Sequence, residues 1–361
     1  MFGLLGFSLV LWGILGLNRA FLAPYTRPGH PVLDELTVHR RKERGPRIVT
    51  IGGGHGLSTL LRGLKQFSRN ITAVVTVADD GGSSGRLRRT MGILPPGDIR
   101  NCLAALSNDE ALLTQLFQYR FASEEAGLQG HSFGNLFITA LAEITGSFEE
   151  AVAESGRVLA VHGRVLPATL LDVRLVADVI LPHAGSEVRI IGESRIPEYP
   201  GQINRVWLEP NNPPAYPKVI QALLSADLIV IGPGSLFTSI LPNLLVPDIA
   251  AAIFSSKALK IFVCNVATQA GETDGYSCHD HVRVLIDHVG GRFFDIVLAN
   301  STTQGILPAE IEWVVAQEAE TDYPIHTSDL VDKEFPWRHD AVKLAQVLVD
   351  LYEERTGPLV E

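Results

Sequence analysis

The sequence is poor in cysteine: three residues in 361, Cys102, Cys264 and Cys278, an odd number set far apart with no Cys-X-X-Cys pair. That spacing excludes a disulfide framework and a zinc ribbon, and it fits a reducing compartment. Positive charge is also short. Thirty basic residues against 40 acidic ones give a net charge of -10, so a nucleic-acid backbone would meet a repulsive field and is not an expected partner. No Ser-His-Asp ordering stands out, which leaves hydrolase chemistry without support. The Lys-Ser/Thr pair of a P-loop is missing as well. What remains is a globular composition, 46% hydrophobic and 19% charged, in a length that holds one large or two ordinary domains.

Hydropathy departs from that picture at the N-terminus. Phe2 to Leu17 carries no charge and is apolar apart from Ser8 and several glycines. At about 1.5 Å per residue it is short for a bilayer core of about 30 Å unless it continues to Ala23. The nearby basic residues follow it, from Arg19 to Arg44, so cleavage as a secretory signal is not expected and the positive-inside bias places the rest of the chain in the cytoplasm. Two readings stand: residues 2–23 anchor the protein to the inner face of the membrane, or they are an extension that never inserts. Residues 24–46, rich in Pro and Arg, form a linker in either case.

From residue 47 to 361 the pattern predicts a single α/β domain, a Rossmann-like, doubly wound and mostly parallel sheet. Ile48 to Ile51 is a short buried strand, and Gly52-Gly53-Gly54-His55-Gly56 follows at once. Leu57, Leu60, Leu61, Leu64 and Phe67 then recur at the intervals of one helix face. The second strand, Ile71 to Val77, empties into Asp79-Asp80-Gly81-Gly82-Ser83-Ser84. Between about 157 and 209, short strands separated by Pro and Gly turns predict a β-rich insertion. The α/β order returns with strand Leu228 to Ile231 and the turn Gly232-Pro233-Gly234-Ser235, then strands Lys260 to Asn265 and Phe294 to Ala299. A last helix, Ala341 to Tyr352, is expected to dock on the sheet.

Chemistry in such a sheet gathers in the loops after the C-terminal ends of strands. Gly52 to Gly56 lies between strand and helix, where glycines let backbone N–H groups approach a phosphate. The third glycine of a dinucleotide fingerprint is replaced by Leu57, which disfavours a plain NAD site. Asp79 and Asp80 stand where a carboxylate meets a ribose hydroxyl, and the same pair is the candidate site for Mg²⁺. Ser83 and Ser84 follow them. Gly130-His131-Ser132-Phe133-Gly134-Asn135 and Gly234-Ser235 both precede apolar helices and are candidate anion-facing helix starts; for His131 itself a core role and ligand contact stand even. Pro95 to Asn101 is either a helix cap with paired Asp98 and Arg100 or a second ligand-facing loop. Cys278-His279-Asp280-His281 suits a helix start with Asp280 near its cap better than a metal site.

Taken together, GGGHG, ADDGGSSGRLR, PPGDIRNCLAALS, GHSFGN, IGPGSLFTSILPNLL, NVATQAGETDGYS and the late RHD at Arg338 to Asp340 resemble the YvcK family within the CofD-like superfamily, over nearly the whole chain from Arg47 to about Tyr352. The resemblance implies a Rossmann-like fold that binds a nucleotide sugar of the uridine diphosphate type, without catalysis and with no required cofactor beyond Mg²⁺ accompanying the ligand. It also implies a role in gluconeogenic growth, cell shape and envelope synthesis. On the same motifs Tyr276 and Arg338 are the expected sugar-nucleotide contacts, with Asn265 and Thr268 lining the same loop. A homo-oligomer and a regulatory protein partner are expected. The CofD branch implies an alternative of another class: a Mg²⁺-dependent phosphotransferase with the metal on Asp79 and Asp80 and Arg86 or Arg100 stabilising phosphate charge. A membrane-tethered scaffold with a vestigial site is the third reading. Ala341 follows the RHD where some relatives carry a phosphorylatable Thr, which weakens any expectation of regulation there.

Overall fold

The computed structural model describes residues 43, 45–107, 111–122, 127–182, 186–199, 201–316 and 321–357. The apolar segment 2–23 and nearly all of the linker 24–46 lie outside the described residues. Among the described residues ten strands form two sheets. The main sheet holds β1 (Ile48–Gly52), β2 (Ile71–Val75), β3 (Arg164–Pro167), β7 (Leu228–Ile231), β8 (Leu259–Val263), β9 (Ile296–Asn300) and β10 (Ile325–Ser328) in the spatial order β10-β9-β8-β7-β1-β2-β3. Every pairing in it is parallel. Such strands are covered on both faces and so read as unbroken apolar runs: the residues of β1, β2 and β7 are all buried.

The chain winds outward from β1 in one direction through β2 and β3, then returns to the other side of β1 and winds through β7, β8, β9 and β10. The order reverses between β1 and β7, which opens a crevice past their C-terminal ends. Helix α1 (Gly54–Leu64) leaves β1 directly and buries Leu57, Leu60, Leu61 and Leu64 completely. The helix Ala341–Thr356, here α2, packs chiefly on α1 rather than on the sheet. Close approach explains this, since a Cβ on Gly63 would stand 1.9 Å from the Ala341 carbonyl oxygen.

The insertion is a three-stranded antiparallel sheet, β5 (Glu187–Ile191), β4 (Arg174–Ile180) and β6 (Gln202–Glu209) in that order. It therefore occupies Arg174–Glu209. The segment 164–167, inside the range expected for the insertion, is instead the edge strand of the main sheet. A short 3₁₀ turn, Glu193–Glu198, links β5 to β6. Among the described residues no single helix is long and apolar enough to cross a membrane; the pair Leu236–Leu244 and Pro247–Ser255 passes only jointly, bent by 75°.

Candidate functional site

The crevice at the β1/β7 reversal is a cavity of about 590 Å³. Two turns form its floor. Gly53 and Gly54 carry the chain from β1 into α1, with Gly54 at φ +62°, a left-handed conformation that glycine adopts without strain. Opposite lies the turn Gly232–Ser235 after β7. The two turns touch: a Cβ on Gly56 would meet the Pro233 carbonyl oxygen at 2.6 Å. Glycine is thus needed here for close backbone approach.

The surrounding loops hold these turns in place. The Asn265 side chain clasps the Gly234 peptide, donating from Nδ2 to the carbonyl at 2.9 Å and accepting the N–H at Oδ1 at 3.3 Å. Gln269 donates to the Ser235 hydroxyl at 2.7 Å. Thr268 is pinned from behind, its N–H donating to the Glu312 carbonyl and its hydroxyl accepting the Glu312 N–H. His339 donates from Nε2 to the Cys264 carbonyl; complete burial drives its pKa down to about 4, so it is a neutral wall of the cavity.

Electrostatically the cavity has two ends. Arg338 and His55 line one, and burial, then Arg338, Arg62, Arg100 and Arg120, lower the His55 pKa and keep the imidazole neutral among guanidiniums. Along the rest stand four carboxyl groups, Asp79, Asp98, Glu193 and Glu272. Burial raises all four, and repulsion from neighbouring carboxylates adds to it at three: Asp98 to about 7, Glu193 to about 8, and Asp79 upward against the hydrogen bonds it accepts from Gly81 and Ser84. Burial alone, opposed by hydrogen bonds from Thr238 and neighbouring backbone N–H groups, takes Glu272 to about 7. Asp98 is enclosed by protein yet open to the cavity on one side. It lies against the glycine turn, where the Gly54 N–H donates to it and a Cβ on Gly53 would meet Oδ2 at 2.6 Å. The segment 95–101 therefore starts a helix and brings Asp98 to the cavity.

Of the residues singled out from sequence, the cavity gathers Gly53, Gly54, His55, Gly56, Asp79, Gly234, Ser235, Asn265, Thr268 and Arg338. Others stand around it in supporting positions. The Gly52 carbonyl accepts from Thr76 N–H and from Asn243. Asp80 turns aside and accepts the Ser194 N–H at 2.9 Å, fastening the 3₁₀ turn that brings Glu193 to the cavity. The Ser84 hydroxyl accepts the Gly97 N–H at 3.1 Å and bonds Asp79, so it positions that carboxylate. Ser83, His131 and Asn135 form a buried network with Arg86. Arg86 Nε donates to His131 Nε2, which leaves Nδ1 to donate to Ser83 Oγ at 3.0 Å, and Asn135 Nδ2 reaches the same oxygen at 3.1 Å. Tyr276 stands in a neighbouring cavity of about 520 Å³ with Gln202 and Asp274, edge-on to Phe237. Asp280 caps its helix in a capping box with Ser277, as the spacing predicts. Glu193, Glu272, Gln269 and His339 are cavity residues that the sequence reading missed.

Among the described residues no group of three or more His, Cys, Asp or Glu side chains is arranged to hold a metal ion by itself. Asp79 and Asp98 are two carboxylates facing one cavity beside a phosphate-type turn. This donor set suits Mg²⁺, which takes one or two carboxylates and completes its shell with waters and ligand phosphates.

Residues 48–356 match the family model described as 2-phospho-L-lactate transferase CofD, and the chain belongs to that family. A relative from Nostoc sp., named "Putative gluconeogenesis factor", is 51% identical over 355 residues, 98% of this chain and 74% of its own length. The gluconeogenesis factor of Bacillus subtilis is 47% identical over 86% of this chain and 99% of its own. A crystal structure of a member of the UPF0052 family from Bacillus halodurans is similar in fold, with a TM-score of 0.79 and 43% identity over 85% of this chain and 99% of that one.

Proposed function

We propose that this member of the CofD family is a gluconeogenesis factor that binds a nucleotide sugar of the uridine diphosphate type and acts as a regulator, supporting growth on gluconeogenic carbon sources, cell shape and envelope synthesis. The names of its relatives support the first part. The observation that carries the second is the two-ended cavity at the strand reversal. Backbone amides of the first turn of α1, the Ser235 hydroxyl and Arg338 offer donors and positive charge to a diphosphate. Asp79, Asp98, Glu193 and Glu272 offer acceptors to ribose and sugar hydroxyls. Mg²⁺, where it accompanies the ligand, would be held by Asp79 and Asp98 and offset the charge between carboxylates and phosphates.

The alternative, a Mg²⁺-dependent phosphotransferase, draws on the same Asp79 and Asp98 pair and on the family description. Calorimetric titration of the full chain with UDP-N-acetylglucosamine and with NAD, with and without Mg²⁺ and with product analysis, separates the readings. Micromolar binding of the sugar nucleotide without turnover supports the regulator; metal-dependent product moves the assignment to the transferase, and no binding sinks the regulator.

A further inference from the structure

We propose that Glu272 selects what the ligand carries beyond its phosphates, its unpaired carboxylate oxygen accepting a hydrogen bond from an O–H or N–H of the sugar. This rests on the nucleotide-sugar reading above. Glu272 is 6% exposed, yet it lines both the main cavity and the neighbouring one that holds Gln202, Asp274 and Tyr276. It is therefore a wall the two cavities share, anchored on the helix that follows the Gly232–Ser235 turn.

One oxygen is anchored. The Thr238 hydroxyl donates to Oε1 at 2.9 Å, and the backbone N–H groups of Phe237 and Thr238 lie against the carboxylate. Oε2 is buried and makes no hydrogen bond among the described residues, so it pairs with a ligand by a small turn of the carboxylate toward the cavity. The other three cavity carboxylates differ: Asp79 is engaged by Gly81 and Ser84, Asp98 by the Gly54 N–H, and Glu193 is only partly buried on its 3₁₀ turn. A buried acceptor without a partner costs stability that packing alone does not require, so it is most simply a group kept for a ligand. The chemistry of that ligand group follows. A phosphate or carboxylate would be repelled by Oε2, whereas a sugar hydroxyl or an acetamido N–H pairs with it.

The same geometry predicts how substitution acts. In Glu272→Gln the donors of Phe237 and Thr238 hold the amide oxygen, which leaves the NH₂ group facing the ligand's own donor. In Thr238→Val the carboxylate loses the hydroxyl that orients it. Calorimetric titration of the full-length wild type and both variants with UDP and with UDP-N-acetylglucosamine tests this, with thermal melting to show that each variant folds. The wild type is expected to prefer the sugar nucleotide, and each variant to lose about tenfold more affinity for it than for UDP, the scale of one buried hydrogen bond to a charged group. Equal losses for both ligands, or an unchanged preference, overturn the assignment, as does a wild type that binds both ligands equally. Should Glu272→Gln fail to melt cooperatively, Thr238→Val decides. A wild type that binds neither ligand removes the nucleotide reading itself and this inference with it.

Discussion

The side-chain amide of Asn243 donates to the Gly52 carbonyl oxygen at 3.0 Å and to the Ser239 carbonyl at 2.7 Å, joining the end of β1 to the turn of helix that follows β7. Asn243 is fully buried and 191 residues from Gly52, so one amide adds a bridge between the first turn and the helix after the second, beside the Gly232 N–H to Ile51 carbonyl bond. Replacing Asn243 with Leu keeps the volume and removes both donors. Gly52 retains its bond from Thr76, so the cost is that of one to two buried carbonyls, about 1–3 kcal/mol. Urea unfolding measures it, and an unchanged midpoint contradicts the bridging role.

Two glycines separate site geometry from stability. Alanine at Gly56 forces the two turns apart, because its Cβ would lie 2.6 Å from the Pro233 carbonyl oxygen. Gly56→Ala is expected to lose about 1–3 kcal/mol of stability and to weaken nucleotide-sugar binding by about tenfold or more. Gly63→Ala drives α1 from α2, with its Cβ 1.9 Å from the Ala341 carbonyl oxygen. It is expected to lower the melting temperature further while leaving the affinity of the folded fraction within about twofold. Titration and melting of both variants check the contrast; equal loss of affinity in the two would break it.

The carboxyl cluster makes the ligand-free protein sensitive to alkali. Asp98, Glu193 and Glu272 hold their protons to about 7, 8 and 7 in the folded state, whereas unfolded carboxyls ionise near 4. Their contribution is full below the unfolded values and is lost as pH rises through the folded ones. The buried imidazoles act oppositely: His281 and His339 have lowered pKa values, so their contribution is present above about 6.5 and is lost as pH falls. The melting temperature is therefore expected to fall by several degrees between about pH 6.5 and pH 9. A flat profile over that range would show that these three carboxyls do not hold their protons in the folded state.

Asp98 is a second lever on that profile because burial and the neighbouring Asp79 raise its pKa. Asp98→Asn removes a repulsive charge beside Asp79 and is expected to raise the melting temperature at about pH 9 while leaving it nearly unchanged at about pH 5. It should also remove any dependence of ligand binding on Mg²⁺, since one of two carboxylate donors is gone. Titration with Mg²⁺ and with a chelator reads this, and an undiminished Mg²⁺ effect in the variant would exclude Asp98 as a donor.

The legible features were those carried within one strand-turn-helix unit. The glycine turn, the helix face of Leu57 to Leu64, the carboxylate at Asp79 and the capping role of Asp280 are each local patterns, and each stands where its spacing implies. Glu193 and Glu272 could not be read because they arrive from the insertion and from the loop after β8, and only the fold brings them to Asp79. Asp80 illustrates the same limit, since only the fold turns it from the cavity to the Ser194 N–H. Ser83 meets His131 and Asn135 directly, contacts across 48 and 52 residues that periodicity does not encode. Tyr276 and Arg338, paired by resemblance, line neighbouring cavities whose common wall is Glu272.

The central claim is that the ligand's phosphates rest where the turns after β1 and β7 meet. A crystal structure of the full chain with UDP-N-acetylglucosamine and Mg²⁺ tests it most directly. The account predicts diphosphate oxygens within hydrogen-bond reach of the His55 and Gly56 backbone N–H groups and the Ser235 hydroxyl, with the sugar toward Glu272. A diphosphate bound away from both turns would contradict it.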